Sequence, residues 1–218
     1  MSSSMDNTNM DIPPEEQAPS VPDSRTGAAL GATALVHAEY HLFRIADPLG
    51  SVADDLDVTH NGLVSAAGGA IEVSTGIHTG NVRVTVERHS QLPAPVPGWE
   101  EIAEISCHSP SGDMLVTPLM DDPAELPSLA SRGPGRYRLR VHARGRDRAV
   151  DETAGDDVPE SYLIQSWPAP HQDAQLFQAT DSYGAQVRAQ PADDTIVIDH
   201  EDSLDTRTGR ERDILRRA

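Results

Sequence analysis

Six arginines stand within sixteen residues of this chain, in the segment GPGRYRLRVHARGRDR at residues 133–148. A guanidinium is planar and carries several donors, so it suits the recognition of carboxylate and phosphate groups. Apolar residues alternate with these arginines, as in a β-strand that buries one face and displays the other. The segment therefore predicts a displayed basic strand face, with these candidate anion-binding residues: Arg136, Arg138, Arg140 and Arg144.

The same alternation also describes a solvated sheet face that binds nothing. Arginine stems cover apolar surface, and their charged heads pair with carboxylates on neighbouring strands. Charge-alternating strands are common in half-exposed antiparallel sheets, which favours this second interpretation. The acids that could pair with the arginines in this way are Glu72, Glu87, Glu100, Glu101, Glu104 and Glu160.

A second chemical candidate is the acidic loop DDLDVTHNG at residues 54–62, which contains Asp54, Asp55 and Asp57. Its glycine comes too late for a calcium-binding EF-hand loop, and no bidentate glutamate follows at the required offset. We therefore expect no metal there. The three aspartates are either a solvated loop or the contact with a basic partner, and they are the partner-binding candidates.

Pairs of residues that resemble catalytic motifs fail on spacing. Cys107 and His108 are neighbours, and neighbours on a strand point to opposite faces. Ser65 in GLVSAAG does not lie in the G-x-S-x-G elbow of hydrolases. His37 and His41 in HAEYH depart from the zinc-protease pattern, and on a strand they stand too far apart to share one zinc ion. With no phosphate-binding glycine motif either, we expect no enzyme, no cofactor and no metal.

The charge balance limits the class of partner. The chain has 17 basic and 35 acidic residues, a formal net charge of −18. Such a protein repels phosphate backbones and anionic membranes and attracts basic proteins. We therefore expect a basic protein partner, with no nucleic acid and no membrane.

The cysteine count and the apolar runs bear on location. Cys107 is the single cysteine, so no internal disulfide forms, and a reducing compartment, the cytoplasm, is predicted. No apolar run approaches the roughly 18 residues that a membrane span requires.

Short apolar runs separated by Gly, Pro, Asp and Asn predict an all-β fold, an antiparallel β-sandwich of jelly-roll type over residues 34–180. Residues 1–33 predict a disordered acidic tail, and residues 181–218 a polar, largely irregular C-terminal extension. The clearest strand is NVRVTVERH at 81–89, in which valines alternate with polar residues. The other predicted strands cover residues 37–46, 69–76, 99–108, 113–117, 136–144, 160–167 and 175–180.

Four segments carry a resemblance to a known family: EYHLF (39–43), NGLVSAAGGAIEVSTG (61–76), GPGRYRLRVHARG (133–145) and ESYLIQSW (160–167). Over residues 37–167 their order resembles the competence-associated nuclease inhibitor family. That resemblance implies a small acidic β-sandwich that blocks a DNA-entry nuclease, and it assigns no inhibitory residue.

Two functions are compatible with these features. The first is a non-enzymatic protein-binding β-sandwich, an inhibitor or immunity-type protein that neutralises a basic nuclease or toxin. The alternative is a small-ligand β-sandwich, in which Trp99, Trp167 or the arginine face holds a carbohydrate or an anion. Sparse aromatic residues count against a sugar site, because sugar platforms rely on exposed rings.

Overall fold

The computed structural model describes residues 30–51, 56–155 and 157–191. These ranges form ten strands and one helix: β1 (Leu30–Glu39), β2 (Leu42–Ala46), β3 (Val64–Ala67), β4 (Ala70–Ser74), β5 (Thr79–Arg88), β6 (Glu101–Ser109), β7 (Leu115–Thr117), β8 (Gly135–Arg144), β9 (Ser161–Pro168), β10 (Gln175–Ala179) and α1 (Ser182–Arg188). Within them, no helix is long and apolar enough to cross a membrane.

All ten strands belong to one sheet, in the order β10-β6-β8-β9-β5-β1-β2-β4-β3, with β7 beside β2. The sheet curls into a half-barrel, and β5 runs parallel to β9. The β-rich class is confirmed, but a purely antiparallel jelly-roll sandwich is not what the structure shows. A parallel pair needs a long crossover, which β6, β7 and β8 provide here, and two-residue alternation does not reveal strand direction.

The core follows the predicted alternation on β5. Val82, Val84 and Val86 are fully buried, whereas Arg83 is exposed. Burial of each of these valine side chains stabilises the folded state by about 1.5–3 kcal/mol. These valines belong to a single apolar cluster that also contains Phe43 and Leu139, so the concave side of the sheet encloses the core.

The segment predicted as one strand at residues 37–46 is instead a hairpin. β1 and β2 are joined by Tyr40 and His41 alone, whose φ angles are 52° and 64°. Two positive φ values define the tight hairpin turn that Asn-Gly sequences normally form. Because Tyr-His carries no turn signal, alternation alone missed this reversal.

The domain boundaries and the tails stay predictions. β1 begins at Leu30, and α1 lies within the stretch assigned to the C-terminal extension. The predicted disordered tail through residue 29 lies outside the described residues, as does the chain beyond residue 191.

Helix α1 is held by two carboxylates at its start. Asp181 caps it by accepting a hydrogen bond from the Gly184 amide, and Asp147 accepts from the Ser182 and Tyr183 amides at 2.8 Å each. Backbone N–H groups at a helix start lack intrahelical partners, so these carboxylates satisfy them and complement the positive helix end. The helix therefore places Tyr183 at a fixed position beside the β1–β2 hairpin.

Candidate functional site

Three non-glycine residues with left-handed backbones occur in the described ranges: Tyr40, His41 and Asp151, with φ between 52° and 64°. This conformation costs a residue with a Cβ atom about 1–2 kcal/mol. All three residues meet at one end of the sheet, where His78 and Tyr183 join them. We call these five residues the hairpin-tip site. Strained backbone of this kind is concentrated at binding and catalytic sites, where surrounding structure holds it in place.

Ring contacts connect the hairpin-tip site. The His41 ring lies edge-on to His78 with centroids 5.0 Å apart, and it stacks on Tyr183 at 6.2 Å. Tyr40 meets His78 edge-on at 5.6 Å. His41 Nε2 lies 3.3 Å from Asp151 Oδ1. The three strained residues thus share one set of rings and one carboxylate.

Backbone hydrogen bonds to neighbouring segments hold two of the strained residues, His41 and Asp151, in place. The His41 amide donates to the His78 carbonyl at 3.2 Å, and the His41 carbonyl accepts from Thr75 at 2.7 Å. The Asp151 amide donates to the Gly76 carbonyl at 3.0 Å. Gly76 is required there, since a Cβ atom on it would lie 2.1 Å from the Arg146 carbonyl oxygen. The turn is therefore held in place by its surroundings rather than by its own sequence.

A buried ionic network lies under the site. Arg146 is fully buried, donates to both carboxylate oxygens of Asp181 at 2.7 and 3.0 Å, and lies under the Tyr183 ring at 5.2 Å. Glu101, also fully buried, accepts from Arg188 at 2.9 Å. Burial raises the Glu101 pKa, against the opposing effect of Arg188. Paired buried charges of this kind add little net stability, because desolvation offsets their attraction, but loss of one partner is costly.

Carboxylates surround an exposed aromatic residue at this end of the sheet. The side chain of Tyr40 is 67% exposed, and Asp151 and Glu152 are exposed beside it. Glu39 precedes Tyr40 in the chain and is partly exposed. An exposed tyrosine with polar neighbours has the composition of a protein-binding hot spot.

A cavity of about 270 Å3 connects the hairpin-tip site with the acidic loop. Tyr40, His41 and Tyr183 line it, together with Leu56 and Val58 on either side of Asp57. Asp57 itself is exposed and accepts from the Thr59 amide at 2.8 Å; its hydrogen bonds with Thr59 lower its pKa. Asp54 and Asp55 lie outside the described residues. The assignment of the three aspartates as partner contacts stays a prediction.

The prediction that β8 displays its arginines to solvent is wrong for two of them. Arg138 is 1% exposed and Arg140 is 6% exposed. Both donate to Glu104, through contacts of 3.1 and 2.7 Å to its two oxygens. β8 is a central strand, and loops cover its polar side: Arg140 reaches the Pro93 carbonyl and Arg138 the Gln172 carbonyl. Alternation predicted the two faces correctly but not the loops that bury the second one.

The other two arginines of that strand are exposed. Arg144 lies over the Trp99 ring at 4.9 Å. Arg136 is opposite His108 on β6 and lines a separate groove. Anion binding by these residues stays a prediction.

The tryptophans lie on the same side of the sheet. Trp167 is 5% exposed and packs with Arg140, whereas Trp99 is partly buried between Arg144 and His142. Neither ring forms an open platform for a sugar, so the two tryptophans serve as packing residues.

The residues whose sequence context resembles catalytic motifs make structural contacts instead. Burial raises the Cys107 pKa to about 12, and its thiol lies 3.6 Å from the Met114 sulfur. Ser65 lies in β3, as an ordinary strand residue. His37 lies beside Asn81 at 3.4 Å. Within the described ranges, no histidine bonds both a carboxylate and a hydroxyl, and no three His, Cys, Asp or Glu residues could hold a metal ion.

Two solved structures resemble this one. The first is the crystal structure of ComJ from Bacillus subtilis, an inhibitor of the DNA degrading activity of NucA; its TM-score is 0.47 at 16% identity, covering 65% of this chain and 99% of that chain. The second is described as crocagin biosynthetic gene J, with a TM-score of 0.44 at 17% identity, covering 66% and 99%. No protein-family model matches this chain, and no curated protein matches it. The resemblance to a competence-associated nuclease inhibitor recognised in the sequence thus recurs among solved structures.

Proposed function

We propose that this protein is a non-enzymatic inhibitor that binds a basic protein, a nuclease or toxin, through the hairpin-tip site and the adjoining acidic loop. The observation that carries the proposal is the meeting of three residues with left-handed backbones, Tyr40, His41 and Asp151, of which Tyr40 is largely exposed. Strain of roughly 1–2 kcal/mol per residue persists where surrounding contacts impose it, and such residues are concentrated at functional sites.

The shape of the site favours binding of a protein surface. Tyr40 has two side-chain torsions and a turn fixed by backbone hydrogen bonds, so ordering it on binding costs little. The cavity beside it, lined by Leu56 and Val58, gives an apolar partner side chain a place to enter. Clusters of this kind dominate the free energy of protein–protein association.

The charge around the site favours a basic partner. Asp151 pairs with His41 of the hairpin tip, Glu152 follows it and is exposed, and Glu72 lines the cavity beside Tyr40, in a chain of formal net charge −18. Enzymes that act on nucleic acids carry basic patches that neutralise phosphates. A carboxylate-rich surface is complementary to such a patch and competes with the nucleic acid for it. Asp54, Asp55 and Asp57 are the loop contacts in this proposal.

The test is inhibition of DNA cleavage. Purified protein is added, at up to micromolar concentration, to a panel of basic nucleases encoded near its gene, together with NucA, whose DNA degrading activity ComJ inhibits. Cleavage of a plasmid is followed with time. The proposal requires stoichiometric inhibition of at least one basic nuclease, and the absence of inhibition across the panel contradicts it.

Variants then locate the contact. Tyr40→Asn keeps a residue that tolerates the left-handed turn, and we expect it to weaken inhibition by about 30-fold, as for a hot-spot tyrosine worth about 2 kcal/mol. Met120→Asn removes a large apolar side chain that is 81% exposed elsewhere, and serves as the matched control. Equal inhibition by the two variants would place the interface away from Tyr40.

The acidic loop is tested by replacing Asp54, Asp55 and Asp57 together with asparagine. We expect slower association with little change in dissociation, because charges at an interface rim act on encounter. An unchanged association rate would remove the loop from the interface.

A further inference from the structure

A second groove lies between the β3–β4 hairpin and the ends of β6 and β8, and its volume is about 290 Å3. Ala66, Ala67, Gly68, Gly69 and Ala70 form one wall, and their small side chains leave the groove open. The other lining residues are Ser106, Cys107, His108, Arg136 and His171. None of the lining residues is an acid, which is unusual in a chain with 35 acidic residues.

Arg136 is the fixed charge of this groove. It stands opposite His108 in the β6–β8 register, so both side chains lie on the same face of the sheet. Among the described residues, the Arg136 side chain forms no ion pair, whereas Arg138 and Arg140 are both paired with Glu104. A guanidinium without a carboxylate partner is available for an anion.

The neighbouring buried charges add to the positive potential. Two buried guanidiniums, of Arg138 and Arg140, share the single carboxylate of Glu104. Arg138 Nη2 is buried and has no hydrogen-bond partner among the described residues. Arg138 Nη1 donates to Ser106 Oγ at 3.2 Å, and Ser106 lines the groove. One uncompensated positive charge therefore lies behind the groove wall, where burial weakens solvent screening.

The charge pattern also fixes which end of the surface would hold an anion. An adjoining groove of about 220 Å3 shares Ala66, Ser106 and His171 with the first, but contains Asp57 and Asp173. These carboxylates repel an anion. The favourable position is therefore the end at Arg136 and His108.

We propose that the groove at Arg136, His108 and His171 binds the oxyanion group, phosphate or carboxylate, of a small molecule. Its volume lies near the lower limit for small-molecule pockets, so it accommodates a compact anion rather than a large ligand. Arg136 offers the planar fork that recognises such groups through paired hydrogen bonds. The site shares no residue with the hairpin-tip site, so it stands or falls independently of the inhibitor function.

The experiment is a titration of the full, 15N-labelled chain with sodium phosphate, and separately with malonate, against sodium chloride at constant ionic strength. Amide resonances are followed for residues 66–70, 106–108 and 136. Saturable shifts confined to these residues are expected with at least one of the two anions, and the anion that saturates them identifies the recognised group. Shifts that do not saturate, or that spread over other arginines, contradict the site.

Three variants make the result specific. Arg136→Gln is expected to weaken anion binding at least about tenfold, as for loss of one charge-assisted hydrogen bond. Ala67→Leu keeps every charge but fills the groove, and is expected to weaken binding equally. Arg83→Gln removes an exposed arginine from β5 and is expected to have no effect. If Arg83→Gln weakens binding as much as Arg136→Gln, or if Ala67→Leu leaves it unchanged, attraction by general surface charge explains the data and the site is overturned.

Discussion

Glu104 is the buried carboxylate that pairs with two arginines of the basic strand β8. Its two carboxylate oxygens accept from Arg138 and Arg140, and all three side chains are buried. Buried ion pairs contribute little net stability while intact, because desolvation offsets their attraction. Removing one partner is costly, because it leaves charges buried and unpaired.

Replacing Glu104 with glutamine therefore has a large expected effect on stability. Two guanidiniums would remain buried without a counter-charge, and we expect a loss of about 3–5 kcal/mol in the free energy of unfolding, measured by urea denaturation. The control is Glu125→Gln, at an exposed carboxylate, with an expected change within about 0.5 kcal/mol. A Glu104→Gln protein as stable as the control would mean that solvent reaches the arginines.

His142 predicts a pH dependence of stability. It is fully buried beside Trp99, and burial lowers its pKa from the ordinary 6.5, although its Nδ1 donates to the Leu163 carbonyl. Because the folded state disfavours the proton, the contribution of His142 is complete above the unfolded pKa. It is lost as the pH falls below about 6.5 and through the folded pKa.

We expect the free energy of unfolding of the parent protein to decrease from pH 7 towards pH 5. His142→Gln should be less stable at pH 7 and should show a shallower decrease over the same interval. His60→Gln, at an exposed histidine, should follow the parent curve. Parallel curves for the parent and His142→Gln, from urea denaturation at each pH, would show that His142 is not the titrating group.

At the level of secondary-structure elements, the β1–β2 hairpin has a turn sequence that disfavours its backbone conformation, although neighbouring hydrogen bonds hold the turn in place. Both turn residues have positive φ, at positions where Asn and Gly are preferred. Strained elements lower the stability of the folded state, and they are often kept because a function requires them. The turn is therefore a place where stability and binding should separate.

Tyr40→Asn tests that separation. Asparagine tolerates the left-handed conformation, and Tyr40 is largely exposed, so little packing is lost. We expect the free energy of unfolding to stay unchanged or to rise by up to about 1 kcal/mol, while inhibition weakens. A thermal unfolding scan gives the first quantity, and a fall in stability of more than about 1 kcal/mol would mean that the ring contact with His78 outweighs the strain.

At the scale of the whole molecule, charge determines encounter with the partner. A formal net charge of −18 acts over the Debye length, about 30 Å at 0.01 M salt and about 8 Å at 0.15 M. Attraction to a basic protein therefore accelerates association at low salt and fades as salt is added. Short-range contacts at Tyr40 are affected much less.

We expect the association rate with an inhibited nuclease to fall at least about tenfold between 20 mM and 300 mM sodium chloride, with a dissociation rate that changes less. Stopped-flow mixing measures the first rate and displacement by excess unlabelled protein the second. A rate independent of salt would exclude electrostatic steering and, with it, the basic partner.

Local patterns in the sequence are sufficient to predict the β-rich class and the sides of individual strands. The alternation in β5 places three valines in the core because successive side chains on a strand point to opposite faces. The same rule put Leu139 and Val141 on the core side of β8. These are local properties, and local spacing is enough to predict them.

The cover over the second face of β8 and the set of residues that meet at the hairpin tip depend on long-range contacts. Arg138 and Arg140 are buried by loops and by a carboxylate from another strand, which no periodicity in β8 encodes. Tyr40, His41, His78, Asp151 and Tyr183 come from four separate parts of the chain. Their convergence follows from strand order and from a turn that neighbouring backbone imposes, and such long-range contacts leave no mark on local sequence.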